Sequence, residues 1–559
     1  MALKIGIDFD NTIISYRQLF HELAAAQGWL PPVSNPSAVL TKEEVKAHLL
    51  KQDGNDLRWQ SLQAKAYGPD ILRAAPFDGF REFLKNAALQ GHEISIVSQK
   101  SVTSHYDPSV RLREWALRWL AEQKIDGIAA DKIYFEATRE EKLARIRALK
   151  LDLFIDDLLE VLDHSDFPVA TTSVWFTQES SGESLSRQLT CANWPEVLRF
   201  TEVASQVSAD AARAVHKTLG ALPTQSMQIK GGNNQIHCVT VKDGRSVAVK
   251  RYFRRNSDER DRCRAEFDAL ELLWHNGIRN IPEPLYRHPD GLFALHAFVD
   301  GRVVAPGKIT AELVNESGDF LIRLQTLASS RKDDAGIGAG ADSRTCLKDY
   351  LDILERRRTK ILAGCASAPL GAAVQGFLQK RFEPLLENAL ETFNRRLTTS
   401  GLRLEAPLPR SDRTLSPSDF GFHNALLDRD GQLTFIDFEY FGWDDPAKML
   451  ADCFHTVAAP MSWSLKWQLL RRFSESLPDP AAFVRRWELV VDLIGLEWLL
   501  IALNIADPEV MARKSFANPK LNPGEMMQSR LDQVRRSADF IDSLRGKGKF
   551  LTIPEELAF

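Results

Sequence analysis

At 559 residues the chain exceeds what one hydrophobic core sustains, so two large domains or roughly three to four of common size are expected. Hydrophobic residues make up 44% and charged residues 26%, a globular composition that excludes disordered or fibrous chain. The formal net charge of −4 gives no overall positive field to hold a polyanion, so nucleic acid is not an expected partner.

Six scattered cysteines form no CxxC pair, which disfavours a zinc knuckle or a disulfide framework. The opening residues show no export signal, so a cytoplasmic location is expected. The most apolar stretch, 487–505, contains Glu488, Asp492 and Glu497 and reads as a buried helix rather than a membrane span.

In chain order, strand-like runs (KIGIDF, EISIVS, KIYF, LDLFIDD, VATTSVWF) alternate with helical patterns up to about residue 175, a rhythm of βαβ units around a parallel sheet. Residues 15–75 break that rhythm and read as a mostly helical cap inserted after the first strand. A Ser-rich loop (177–188) and a closing helix (192–200) follow, with a junction expected at 201–214.

In IGIDFDNT, Asp8 and Asp10 stand two residues apart at a strand end, where open α/β sheets place ligands. Paired carboxylates there can hold Mg²⁺, with Thr12 in the following loop. A second strand ends in Ser98, Lys142 sits on a helix, and a later strand delivers Asp156 and Asp157. With these residues in this order, residues 1–200 resemble the haloacid dehalogenase superfamily, which implies a doubly wound α/β domain with a small helical cap. By that resemblance Asp8 is the nucleophile that forms an aspartyl-phosphate and Asp10 the general acid and base. Asp8, Asp156 and Asp10, the last through its backbone carbonyl, would coordinate Mg²⁺. Thr12, Ser98 and Lys142 would bind the phosphoryl oxygens. Lys100 and Lys132 compete for the lysine role but read as solvated surface lysines.

Past the junction the periodicity changes to hairpins: MQIKGG, QIHCVTV and SVAVKRYF, with Asp243-Gly244 as a tight turn. From about 306 helical patterns dominate, broken by a Gly-rich loop (333–343) and a short hairpin near 426–438. Gly231 and Gly232 lie between strands, Lys250 on the strand after the hairpin, and Glu266 on a helix within pairing reach. Downstream, SPSDFGFHNALLDRDGQLTFIDFEY (416–440) supplies Asp419, Asn424 and Asp437.

On this order and spacing, residues 215–559 resemble the aminoglycoside phosphotransferase and choline kinase group. The resemblance implies an α+β bilobal protein-kinase-like fold, with an N-lobe over about 215–300 and a C-lobe over about 301–559. It implies that the loop carrying Gly231 and Gly232 covers ATP phosphates and that Lys250, oriented by Glu266, contacts them. The segment FALHAFVDGR (293–302), with His296 and Phe298, would meet the adenine. Asp419 would be the catalytic base, and Asn424 and Asp437 would bind Mg²⁺. The family's His-Gly pair before the base is replaced here by Pro417 and Ser418, so the loop is expected to be braced differently. His423 reads as a packed or hydrogen-bonded loop residue, and Asp445 as a helix cap.

The expected whole is a bifunctional enzyme, a Mg²⁺-dependent phosphatase fused to an ATP-dependent kinase. It would act on phosphorylated and hydroxyl-bearing small molecules, in sugar metabolism or cell-surface glycan precursor synthesis. The alternatives are a regulatory sensor with one inactive half, or an antibiotic- or protein-directed kinase.

Overall fold

Continuous apolar strands need cover on both faces, and the first part of the chain provides it by alternating strands with helices. After β1 (Lys4–Ile7) come β2 (Ile14–Ser15), α1 (Arg17–Ala26), α2 (Lys42–Asp53), α3 (Leu57–Ala66) and β3 (Ala75–Pro76). Next follow α4 (Phe80–Leu89), β4 (Glu93–Gln99), α5 (Leu112–Glu122), β5 (Ile133–Glu136), α6 (Arg139–Leu149) and β6 (Leu153–Asp156). Then come α7 (Leu159–Leu162), β7 (Thr172–Phe176), β8 (Thr190–Cys191), α8 (Trp194–Val207) and α9 (Ala209–Leu219). The six-stranded sheet has the order β5-β4-β1-β6-β7-β8, and every neighbouring pair is parallel. Its order turns outward in both directions from β1, so the carboxyl end of β1 is the crevice where such sheets bind ligands.

This computed structural model describes residues 1–32, 35, 38–53, 56–178, 188–229, 231–254, 260–305, 307–331, 336–456 and 460–545. Most of the Ser-rich loop and the start of the Gly-rich loop fall outside the described residues. The chain divides into two units, one of Met1–Met227 with Cys238–Val247, the other of Gln228–His237 with Ala248–Phe559.

In the first unit, α1 to α3 occupy the stretch read as a helical insertion, and the pairing of β2 with β3 (Ile14↔Pro76, Ser15↔Ala75) closes its neck. Phe20 stacks on Trp59 across the insertion at 5.1 Å. Residues 201–214, read from sequence as a junction, instead form the end of α8 and most of α9, with Val203, Val207, Ala211 and Val215 buried. The junction was set by the Ser-rich loop and closing helix before it, but the alanine-rich face of α9 is a packing face.

The second part contains β9 (Pro223–Ile229), β10 (Gln235–Val241), β11 (Ser246–Arg251), α10 (Arg262–His275), β12 (Pro284–Arg287) and β13 (Phe293–Ala297). After β14 (Arg302–Val303) come α11 (Ala311–Ser330), α12 (Lys348–Gly364), α13 (Gly371–Phe377), α14 (Glu383–Ser400) and β15 (Thr414–Ser416). The remainder is β16 (Ala425–Leu427), β17 (Leu433–Phe435), β18 (Gly442–Asp444), α15 (Pro446–His455), α16 (Trp463–Ser474), α17 (Pro480–Leu503), α18 (Pro508–Ala517) and α19 (Pro523–Arg545). A five-stranded sheet of order β12-β13-β11-β10-β9 precedes a helical lobe that carries the β14-β16-β17 and β15-β18 sheets.

The centre of that lobe is α17, by length and composition apolar enough to cross a bilayer but largely buried within its own unit. Its Glu497 is 3% exposed and accepts from Arg344 Nη2 at 2.5 Å and Arg357 Nε at 2.9 Å. A buried carboxylate with two guanidinium partners is what allows this charge inside the core, and removing it strands Arg344, itself fully buried. Glu497→Ala is therefore expected to destabilise the second unit by about 3–5 kcal/mol, read as a lower denaturation midpoint of the full-length protein.

Candidate functional site

Strand register builds the first cluster. Ile7 of β1 pairs with Ile96 of β4 and with Ile155 of β6, so the next residues of β1 and β6, Asp8 and Asp156, emerge together with Ser98 nearby. The Asp8 amide donates to the Ile155 carbonyl at 2.8 Å, holding the strand end in place. Gly6 permits this packing, because a Cβ there would meet Leu151 Cδ1 at 2.3 Å.

Lys142 enters from α6, whose start is fixed by a capping box between Thr138 and Glu141. Its Nζ donates to Asp8 Oδ1 and Asp156 Oδ2, both at 2.6 Å, and the side chain is 1% exposed. Burial, aided by the Asp156 and Asp10 carboxylates, pushes the Asp8 carboxyl up to about 7 against the pull of Lys142. Burial and the same crowding hold Asp157 well above the usual carboxylate range.

One oxygen from each of Asp8, Asp156 and Asp157 lies within 4.8 Å of the others. Three converging carboxylates suit a hard divalent cation, so the donor set fits Mg²⁺. Ser98 lines the cavity at this end of the sheet, whereas Thr12, expected to bind phosphate, is fully buried in the loop after β1, its Oγ1 without a hydrogen-bond partner among the described residues. The Asp10 side chain is not in this trio. It takes hydrogen bonds from Tyr16 Oη at 2.6 Å and from Lys100 Nζ at 2.8 and 2.9 Å.

Lys100 is thus not the solvated surface lysine expected from its sequence. It is 4% exposed and lies over the rings of Phe9 and Tyr67 at 5.2 and 5.1 Å. The insertion supplies Tyr67 and removes Lys100 from water, which a linear reading of the strand end does not reveal. Lys132 keeps its surface character, pairing with Glu93. The cavity, about 480 Å³, has Asp8, Asp10, Ser98 and Lys142 at one end, with Lys42, Gln60 and Tyr67 of the insertion facing it.

The second cluster is assembled by a hairpin. β16 and β17 pair Ala425 with Phe435, and the Ile436 amide donates to the Asn424 carbonyl at 2.9 Å, which sets Asn424 beside Asp437. Below them Phe320 of α11 stacks on Phe435 at 4.3 Å and on Phe420 at 5.8 Å, so both acid-bearing segments rest on one aromatic floor.

Lys250 of β11 donates to Glu266 Oε2 of α10 and to Asp437 Oδ1, both at 2.6 Å. Burial, with Glu439 and Glu266 near, pushes Asp437 up to about 6 although Lys250 pulls it down. Asp437 is held at φ +69°, a left-handed backbone costly for a residue with a Cβ.

Asn424 Nδ2 donates to the Asp419 carbonyl at 2.9 Å, so its amide oxygen is the end left to serve a cation. With the Asp437 carboxylate beside it, this pair of oxygen donors also fits Mg²⁺. Asp419 accepts from His423 Nε2 at 3.0 Å. Burial opposes its charge, yet the His423 contact holds its carboxyl below the usual value.

The residues replacing the family's His-Gly pair also make contacts. Ser418 Oγ donates to the Tyr440 carbonyl at 2.9 Å, and the Ser418 amide donates to Ser416 Oγ at 3.0 Å. Asp445 caps α15, accepting from the Ala447 amide, and also receives Tyr350 and Arg486.

Lys250, Glu266, Ser418, Asp419, Asn424 and Asp437 line one cavity of about 800 Å³ within the second unit. Gly231 lines it where a Cβ would strike the Asn234 carbonyl at 2.3 Å, so only glycine fits that turn. Gly232, His296 and Phe298 line it too, His296 buried with both ring nitrogens unpartnered and its pKa lowered by burial to about 4. Glu439 did not stand out in the sequence. It is fully buried and accepts from Asn234 Nδ2 at 2.8 Å and Asn233 Nδ2 at 3.1 Å, tying the glycine turn to the Asp437 segment.

Residues 227–468 match the model of the phosphotransferase enzyme family, APH. A Bacillus cereus protein described as "Putative nucleotidase" is 26% identical over 162 residues, 29% of this chain and 79% of that protein. Among solved structures, a spectinomycin phosphotransferase in complex with ADP and spectinomycin aligns at 12% identity and TM-score 0.40, covering 57% of this chain and 94% of that one. The choline kinase LicA from Streptococcus pneumoniae aligns at 15% identity and TM-score 0.38, covering 61% and 98%. Over residues 227–468 the chain is thus similar to phosphotransferases of the APH type.

Proposed function

We propose that the protein is a bifunctional enzyme: an ATP-dependent kinase for a hydroxyl group of a small molecule, and a phosphomonoester hydrolase working through an aspartyl-phosphate. The observation that carries the kinase reading is the Glu266-Lys250-Asp437 bridge, set in the same cavity as Asp419 and Asn424. A loose phosphoryl-transfer transition state needs alignment and charge compensation, and this set offers both. Lys250, steadied by Glu266, meets the nucleotide phosphates. Asp419 takes the acceptor hydroxyl proton as the acceptor oxygen takes the phosphoryl group and ADP departs. Asn424 and Asp437 would hold Mg²⁺, which would supply charge neutralisation at the phosphates.

For the hydrolase reading the support is the Asp8-Lys142-Asp156 cluster, with Asp10 separately held by Tyr16 and Lys100, together with the likeness to a nucleotidase. Asp8 attacks the phosphorus while Asp10 protonates the leaving oxygen. Asp10 then takes a proton from the water that releases phosphate. Lys142 and Ser98 meet the phosphoryl oxygens, and Asp8, Asp156 and Asp157 would hold Mg²⁺, which would supply further neutralisation.

The test is a metabolite screen of the purified full-length protein, with Mg-ATP for phosphorylation and with phosphomonoesters for release. Turnover in both arms, lost in EDTA and restored by added Mg²⁺, is expected. No turnover in either arm across sugars, amino alcohols and their phosphates would overturn the reading. Lys100→Met, which frees the Asp10 carboxylate from one anchor, is expected to slow phosphate release about 10- to 100-fold, measured by steady-state hydrolysis.

A further inference from the structure

Apart from Asp419, which pairs with His423, the acids lining the cavity of the second unit already have cationic partners. Glu266 and Asp437 share Lys250, and Asp452 takes Lys448 at 2.8 Å. Asp342 takes Arg356 and Arg357, and Glu497 takes Arg344 and Arg357. Few carboxylates remain to hold an ammonium group on an acceptor.

Three of its cations, by contrast, form no ion pair among the described residues. Arg513 and Lys514 of α18 and Arg530 of α19 line the same cavity. Among the described residues Lys514 has no hydrogen-bond or ion-pair partner, and its Nζ lies 3.9 Å from the Cβ position of Gly232. Among the same residues Arg513 reaches only Tyr440 Oη at 3.4 Å, with its Nε buried and unpartnered, and Arg530 reaches only Gln533 Oε1 at 2.8 Å. Burial and the two neighbouring guanidinium groups lower the Lys514 pKa. Among the described residues these three half-buried cations form no ion pair; their mutual repulsion, offset in part at Lys514 by the Glu439 and Asp437 carboxylates, is a cost that a bound anion relieves. The cluster lies beyond residue 468, where the match to the phosphotransferase family ends.

Building on the kinase reading, we propose that Arg513, Lys514 and Arg530 form an anion subsite for the acceptor, which is a hydroxyl compound already bearing a phosphate or carboxylate. The anion is gripped beside the glycine turn while the hydroxyl faces Asp419. An acceptor of this class also suits a chain whose other unit is read as acting on phosphomonoesters.

The test is calorimetric titration of inorganic phosphate, and separately of acetate, into full-length protein saturated with Mg-ADP. The Lys514→Met, Arg530→Met and Lys514→Arg variants are titrated alongside the unaltered protein. Phosphate bound by the first unit is common to all of them, so the readout is the component that the substitutions remove. Lys514→Met and Arg530→Met are expected to weaken that component about 10- to 100-fold, Lys514→Arg to retain it, and Mg-ADP affinity to stay within about twofold. The tighter of the two anions assigns the acceptor's group.

Anion binding identical in unaltered and substituted protein overturns the subsite. So does Mg-ADP affinity falling in step with it, which would give the cluster to the nucleotide. Failure of the unaltered protein to bind Mg-ADP sinks the kinase reading itself, and the subsite with it.

Discussion

Asp8→Asn is expected to abolish phosphate release, by at least about 10⁴-fold, because an amide cannot attack phosphorus and nothing else in the cluster replaces it. Lys142 keeps its contact with Asp156, and the substituted side chain is buried, close in shape and neutral. The protein should therefore fold, and its kinase rate should stay within about twofold, as expected for independent sites. Paired assays of phosphate release and acceptor phosphorylation check both halves of the statement. Hydrolysis within about tenfold of the unaltered enzyme would remove Asp8 from the nucleophile's role.

The second large effect is the mirror image. Asp419→Asn is expected to lower acceptor phosphorylation about 10²- to 10⁴-fold, the range for loss of a positioned base, while hydrolysis of phosphomonoesters continues. The amide still accepts from His423, so the loop holds its shape and the KM for ATP should change little. A fall in kcat with unchanged KM is the signature of an interaction made in the transition state. Loss of both activities from either substitution would refute separate centres.

What could be read from the sequence follows from how the two clusters are made. Asp8, Ser98 and Asp156 were legible because strand ends are visible as runs of apolar residues that stop at polar ones. Parallel pairing then brings those ends together, Ile7 lying opposite both Ile96 and Ile155. Asn424 and Asp437 were legible because a short hairpin separates them.

Lys100 was misread because its burial depends on Tyr67, delivered from the insertion. Asp157 was noted but not counted among the metal-binding residues, because the resemblance implied Asp156 alone; the turn after β6 lets both approach Asp8. Glu439 looked like one more acid after Asp437, and only the amides of Asn233 and Asn234 give it a purpose. The cationic cluster of α18 and α19 had no motif to mark it, because it arises from what those side chains lack.

The core helix α17 carries a consequence for how the chain reaches its native state. Glu497 closes on Arg344 and Arg357, 153 and 140 residues earlier in the chain. During synthesis both arginines leave the ribosome first, so the helix emerges to waiting counter-charges. Diluted from denaturant, the same helix must search across that long loop while its apolar faces are bare, a setting that favours aggregation. Yield on renaturation should therefore fall steeply with protein concentration, far more than yield in the cell falls with expression.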